Sequence, residues 1–373
     1  MSPGRTDNEL SEPKVVYDIN LPYATSNGDV VDACKERTEF PDYLPVWEKG
    51  VWQDEVALFE FSDPALRADI TKPNLFLEGV TQEHITPRMG TILTGVKLEE
   101  LSKEGKDELA LLICERKVVV LRNQVGFLKS GPQFQVDFME HYGKLSIQPV
   151  SGHIKGFPQY HIIHRDHNED EVKNFLQSKM TTALWHQDVS YEKQPPGYVM
   201  LGILACPDVG GDTVVCDTNV AYQRLSVTFQ QMLSQVKVVH TSEKMINHVK
   251  ASRGMVRSDP IDTIHPIIRV HPVTGEKALF LNQEFKKDVI GLKDMEADLI
   301  TKFLMEHMIM GHDFQVRISW EKHSVVMFDG RSTLHSGTVD YDTNHQARHL
   351  FRLAAMTEVP IPDDGAEAAE FHS

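Results

Sequence analysis

Cysteine is scarce in this chain: four in 373 residues, at Cys34, Cys114, Cys206 and Cys216, with no C-x-x-C pair. That spacing excludes a disulfide framework and a paired-thiolate zinc site, and reads as reduced thiols in a reducing compartment. Positive charge is also short, with 38 Lys and Arg against 54 Asp and Glu, a net charge of −16. A nucleic-acid partner is therefore not expected, because phosphate recognition needs a basic footprint. A small anionic substrate stays open, since one buried arginine decides that locally. No apolar run approaches the length of a membrane span, and Met1 to Lys14 has no apolar leader, so a cytoplasmic protein without a membrane partner is expected. No G-x-G-x-x-G follows a strand, which argues against a dinucleotide-binding parallel sheet.

What is present is an ordinary globular composition, 41% hydrophobic and 25% charged, able to bury a large core. Residues 1–45 are polar and turn-rich and are expected to form an arm; 46–360 form a single domain; 361–373 read as a flexible tail. Strands are predicted around 90–96, 117–122, 198–206, 213–216, 267–270, 278–281, 316–320, 325–328 and 350–356. Helices are predicted over 102–116, through Phe134, Phe138 and Tyr142 to a stop at Gly143, over 226–235 and over 294–310. Many strands with turns between them and no regular βαβ alternation predict a mainly β fold with flanking helices, a double-stranded β-helix or jelly roll.

The chemistry centres on Trp185-His186-Gln187-Asp188-Val189-Ser190-Tyr191. In extended backbone His186 and Asp188 point to one face. Two ligands hold a metal poorly, and His335, in Phe328-Asp329-Gly330-Arg331-Ser332-Thr333-Leu334-His335, is a candidate third. Two histidines and a carboxylate are the facial set of non-haem Fe(II) oxygenases, which leave coordination positions open. An isolated H-x-D is common by chance, so the motif needs context. The run His161, His164, His167 lacks the Glu of a helical H-E-x-x-H and reads as a solvated loop rather than a zinc site. Met295, Met305, Met308 and Met310 follow a helix and read as core.

Several further motifs occur in order: Pro195-Pro196-Gly197, Gly210-Gly211-Asp212-Thr213, His265-Pro266-Ile267-Ile268-Arg269-Val270-His271-Pro272, Ala278-Leu279-Phe280-Leu281-Asn282 and Arg348-x-x-x-Arg352. Together with the H-x-D segment they resemble the taurine dioxygenase family of Fe(II)/2-oxoglutarate oxygenases, closest to fungal sulfonate dioxygenases, from about Leu44 to Thr357. The resemblance implies His186, Asp188 and His335 as iron ligands. It implies Arg352 and Thr213 on the distal carboxylate of 2-oxoglutarate, with Arg348 as a second family arginine. For the substrate it implies His153 against a sulfonate, the Val189 backbone N–H, and a wall from Phe285 with Tyr191 beside it. Substrate choice would also involve Thr182, Val339 and Tyr341.

The implied reaction consumes O2 and 2-oxoglutarate, yields succinate and CO2, and oxidises a substrate C–H; on a carbon bearing a sulfonate it would release sulfite and an aldehyde. A homo-oligomer is a candidate state by the same resemblance. The chain departs from the family in Phe328-Asp329-Gly330-Arg331, where Trp-Asp-Asn-Arg is usual, in Thr182, where bacterial taurine enzymes carry asparagine, and in extra residues near Asn344-His345. These departures leave a small carboxylate or amino acid as an alternative substrate, with hydroxylation, desaturation or cyclisation as outcomes. A metal-binding barrel without turnover would have no use for the cosubstrate arginine. Residues 241–262, polar with Gly254 and Pro260, are expected to act as a lid that orders over substrate.

Overall fold

The computed structural model describes residues 38–48, 50–165, 184–251, 255–341 and 346–363. The first part of the chain forms β1 (Thr81–His84), β2 (Thr91–Thr94), α1 (Lys103–Arg116), β3 (Val118–Leu121), α2 (Val125–Lys129), α3 (Pro132–Glu140), β4 (Lys144–Leu145) and β5 (His161–Arg165). It continues through β6 (Pro196–Ala205), β7 (Thr213–Asp217), α4 (Thr218–Gln223), α5 (Val227–Leu233), β8 (Lys237–Thr241), α6 (Glu243–Ala251) and β9 (Asp262–Pro266). The last part holds β10 (Ile268–Val270), β11 (Lys277–Leu279), β12 (Lys286–Ile290), α7 (Asp294–Met310), β13 (Gln315–Ile318), β14 (Val325–Asp329), β15 (Thr333–Gly337), β16 (Arg348–Met356) and β17 (Ile361–Pro362).

The larger sheet runs β1-β2-β3-β14-β6-β16-β4, with β5 also on β16; a smaller sheet, β13-β7-β15, packs against it. Only β2 and β3 pair in parallel among these strands. The central strands read Val-Val-Val-Leu in β3 and Val-Val-Met-Phe-Asp in β14, buried throughout. Such continuous apolar runs are what a sheet covered on both faces requires. Val118, Val120, Val199, Leu201, Val326, Phe328, Leu350 and Ala354 meet Val215, Val316 and Ile318 of the smaller sheet. Their alternates, Val119, Leu121, Met200, Met327, Phe351 and Leu353, pack under α1 and α3. This is the double-stranded β-helix architecture, mainly β with flanking helices.

The parity of β16 decides where its arginines lie: Arg348 and Arg352 share the face of Leu350 and Ala354, so both point between the sheets. Helix α1 starts where expected, the Ser102 hydroxyl accepting from the Gly105 N–H at 3.0 Å, as an N-cap should. Two expectations change. His161 and His164 lie in β5, paired with β16 rather than solvated, because the Ile162–Ile163 pair between them gives the strand an apolar body; His167 lies outside the described residues. The stretch read as a lid, 241–262, holds helix α6 and reaches the start of β9. Of the four methionines only Met305 and Met308 are buried, while Met295 and Met310 are exposed.

Within the stretch read as a polar arm, Phe40, Tyr43 and Leu44 are buried. Within the stretch read as a tail, β17 pairs with β10. Residues 1–37 and 364–373 lie outside the described residues. Cys114, Cys206 and Cys216 are free thiols. Among the described residues no helix is long and apolar enough to cross a membrane.

Candidate active site

The H-x-D segment is fastened on three sides. The backbones of His186 and His335 exchange two hydrogen bonds, each 3.0 Å, which tie it to β15. Asn282 Nδ2 donates to the Gln187 carbonyl at 2.8 Å, and His240 Nδ1 meets Ser190 Oγ at 2.8 Å. Thr263 donates to the Tyr191 carbonyl at 2.6 Å, so β9 closes the third side. Val189, at φ 36°, holds a backbone conformation that β-branched residues rarely adopt. Strain of that kind persists only where the surroundings fix it, and it collects at functional turns.

One donor atom from each of His186, Asp188 and His335 lies within 4.8 Å of the others. The His186 Nδ1–H donates to the Leu184 carbonyl at 2.9 Å, which fixes the ring and leaves Nε2 to face Asp188 Oδ1 at 3.7 Å. Asp188 Oδ2 and His335 Nδ1 are buried without a hydrogen-bond partner. Buried polar atoms are seldom left so, and a divalent cation would satisfy them. Burial raises the Asp188 carboxyl, but Arg352, then His335 and His186, hold it at about 2. Burial, with His186 adding to it, lowers His335 to about 3. An ionised carboxylate and a neutral imidazole are the forms that ligate metal.

The two arginines of β16 have different neighbours. Arg352 pairs with Asp188 Oδ1, and its Nη2 reaches Gln148 Oε1 at 3.4 Å. Arg348 lies four residues back along the strand, its Nε donating to the Gly211 carbonyl at 2.9 Å. Its Nη2 is 3.8 Å from where a Cβ on Gly337 would stand, and Gly337 is the register partner of Thr213. The Thr213 hydroxyl accepts from Trp320 Nε1 at 3.1 Å, which leaves its own hydrogen to donate. The Gly210-Gly211 turn, with φ of 86° and 68°, carries no side chain there; a Cβ on Gly211 would stand 3.2 Å from Arg348 Cδ and 3.3 Å from Tyr341 Cδ1. Tyr341 therefore belongs to the Arg348 end, not to the metal. Val339 is half-buried on the same connection.

Val189, Tyr191 and Phe285 come together as expected, in one apolar cluster with Met245 and Ile261; the Tyr191 and Phe285 rings meet edge-on at 5.0 Å. His153 does not join them. It is fully buried, with Nε2 facing Glu48 at 3.0 Å and Nδ1 facing Arg257 Nη2 at 2.6 Å. Arginine can only donate, so Nδ1 accepts and the Nε2–H goes to Glu48; neither nitrogen is left for a ligand. Burial, then Arg257, lowers its pKa to about 4. Thr182 lies outside the described residues.

Sequence reasoning missed Gln148, Arg257 and His161. Arg257, nearly fully buried, grips the carbonyls of Gln148 (3.1 Å) and Ser151 and so pins the turn that carries the Gln148 side chain. His161 sits opposite Arg352 in the β5–β16 register and stays neutral, held well down by burial and by Arg352. No short-range pattern marks these residues; only the pairing of β5 with β16 does so for His161. The interior thus holds three buried guanidinium groups, Arg352 on Asp188, Arg257 behind the Gln148 turn and Arg348 at Gly211, inside a chain of net charge −16.

Residues 81–354 match the family described as "Taurine catabolism dioxygenase TauD, TfdA family". An alpha-ketoglutarate-dependent sulfonate dioxygenase of Saccharomyces cerevisiae is 39% identical over 333 residues, covering 88% of this chain and 80% of that one. The alpha-ketoglutarate-dependent dioxygenase cnsM of Penicillium expansum is 37% identical, covering 87% and 93%. A crystal structure of a taurine dioxygenase from Burkholderia xenovorans superposes with a TM-score of 0.62 at 26% identity, covering 78% of this chain and 97% of that one. The chain belongs to the TauD/TfdA family of 2-oxoglutarate-dependent dioxygenases, and it is an enzyme of that class.

Proposed function

We propose that this enzyme oxidises the C–H bond beside the anionic head of a small alkylsulfonate, releasing sulfite and an aldehyde. His186, Asp188 and His335 would hold Fe(II), with Asp188 Oδ2 free for the metal while Oδ1 stays on Arg352. The bound metal with 2-oxoglutarate and O2 supplies the oxidising power, the cosubstrate leaving as succinate and CO2.

The chain's own residues orient the two anions. The arginine pair supports a division of labour that differs from the resemblance alone: Arg348, beside Thr213, is suited to the distal carboxylate of 2-oxoglutarate, and Arg352, beside Gln148, to the substrate head. A guanidinium fork grips carboxylate and sulfonate oxygens with paired charge-assisted hydrogen bonds. The Val189 N–H, to which no acceptor is bonded among the described residues, adds a donor at the substrate end. Phe285 and Tyr191 wall that end and exclude water. The single observation that carries this reading is the placement of two inward-facing arginines on one strand, one touching Asp188 and the other beside Thr213.

The yeast relative, by its name, acts on sulfonates. One observation favours a carboxylate or amino acid instead: His153, matched to the sulfonate contact, is closed off by Glu48 and Arg257. Purified enzyme given Fe(II), 2-oxoglutarate and a panel of alkylsulfonates and matched carboxylates decides between them. Sulfite formed in step with succinate supports the sulfonate; succinate coupled only to carboxylates rejects it.

A further inference from the structure

Tyr191, whose ring meets Phe285 edge-on, also lines a cavity of about 240 Å³ with Trp52, Glu55, Glu192 and Asp259. Ile147 and Pro149, on either side of Gln148, line it as well. The volume is below the roughly 300–1,000 Å³ of drug-sized sites, so it suits a ligand of a few heavy atoms. Its charge is one-sided: Asp54, Glu55, Glu192 and Asp259 line it, and no Lys or Arg does among the described residues.

Acidity alone would mean little, but Glu192 is unusual. It is 7% exposed, and among the described residues its carboxylate has neither a hydrogen bond nor an ion pair. Glu55 already has Lys193 at 2.7 Å. Burial, then the charge of Glu55, pushes the Glu192 carboxyl up to about 7, against the pull of Lys144. A carboxylate taken from water without a partner is expensive, and a protein keeps one where a ligand supplies the missing charge. Trp52 stands at the same cavity with 52% of its surface exposed, an open aromatic face of the kind that attracts cations.

We propose that this cavity binds a small organic cation, its ammonium group on Glu192 and its carbon chain over Trp52. The charge of its lining is opposite to that of the Arg348 and Arg352 end. The ammonium has two possible sources, a separate alkylamine or the amino end of a bipolar substrate, and the chemistry of recognition is the same for both.

The test is calorimetric titration of the full chain, without iron or 2-oxoglutarate, with propylammonium at pH 8. Saturable one-to-one binding is expected, with no binding of neutral propanol. Glu192→Gln should weaken it by about tenfold or more, the worth of one charge-assisted hydrogen bond, and Trp52→Leu by about threefold. Thermal melts of both variants check that they fold; if Glu192→Gln does not, quenching of Trp52 fluorescence by propylammonium, lost in Trp52→Leu, carries the same test. Repeating the titration with saturating taurine separates the sources: displacement assigns the ammonium to a bipolar substrate, independent binding to a separate amine. Equal affinity in wild type and Glu192→Gln, or no saturable binding to wild type, overturns the proposal. Since nothing turns over in this experiment, its failure leaves the sulfite assay untouched.

Discussion

Replacing Arg348 by alanine should cripple cosubstrate binding while sparing the metal. Its Nε is already committed to the Gly211 carbonyl, which leaves the two terminal nitrogens for a carboxylate. Each charge-assisted hydrogen bond is worth about 1.5–3 kcal/mol. Losing both, with partial replacement by water, should cost about 3 kcal/mol, or roughly a hundredfold in affinity at 1.4 kcal/mol per tenfold. Arg348→Lys keeps the charge but not the fork, and should fall between. Arg352→Gln is the necessary comparison. It strips Asp188 of its partner, so it should weaken metal retention and substrate use more than 2-oxoglutarate binding. The assay is an anaerobic titration with 2-oxoglutarate in excess Fe(II), following the metal-to-ligand absorption band, with the metal titrated separately in each variant. An Arg348→Ala protein that titrates like wild type, or an Arg352→Gln protein shifted further than Arg348→Ala, would refute the division of roles.

Two other outcomes are expected. His186→Ala and Asp188→Ala should each form no succinate from 2-oxoglutarate while melting near the wild-type temperature; full turnover in either removes that residue from the ligand set. Two buried groups should pull stability in opposite directions across the acid range. Burial lowers His265 from 6.5 to about 4, so its contribution is complete above pH 6.5 and is lost as pH falls towards 4, about 3 kcal/mol at 1.36 kcal/mol per unit. Glu192 acts in the opposite sense: raised from 4.5 to about 7, it destabilises the fold progressively as pH rises through that window. The two windows overlap, so urea melts of the wild type from pH 4 to 8.5 should show a partly cancelled profile, and Glu192→Gln should uncover a steeper rise in stability between pH 4.5 and 7. An unchanged profile in that variant would show that Glu192 does not titrate as described.

What could be read from sequence was whatever short-range pattern controls. The spacing of Arg348 and Arg352, both even-numbered with Leu350 and Ala354, places them on one strand face, and that face is the interior. The H-x-D pair obeys the same rule. Gln148 and His153 sit in a turn with no period, so nothing local says which side chain looks inward; the choice is made by Arg257, more than a hundred residues away. Arg257 itself follows a polar stretch whose composition resembles a free loop. His161 and His164 look like a hydrated run until β16 offers an edge with which β5 can pair. In each of these cases a long-range hydrogen bond or strand pairing overrides composition. Strands β8 (Lys-Val-Val-His-Thr) and β12 (Lys-Lys-Asp-Val-Ile) were illegible for a related reason: they are short and carry charged or polar residues at exposed positions.

Long-range hydrogen bonds also decide why one cluster of donors suits a metal and a second does not. Cys114, His271 and Asp329 bring ligand atoms within 4.8 Å of one another, fully buried. There, however, Asp329 Oδ1 accepts from the Arg331 backbone and Nε at 2.9 and 2.8 Å, and Oδ2 accepts from Arg331 Nη2 at 3.0 Å and faces His271 Nε2 at 2.7 Å. The Cys114 sulfur faces Arg331 Nη2 at 3.2 Å and the Tyr198 hydroxyl at 3.3 Å, and burial drives its thiol well up, so it is not a thiolate. A cation entering would have to displace a guanidinium that also pairs with Asp63. At His186, Asp188 and His335 the arginine occupies one carboxylate oxygen and leaves the other without a partner. Both clusters hold an aspartate and a histidine within reach of a third donor; the unspent lone pair on Asp188 suits the first to a metal, whereas the second is an internal ion-pair network.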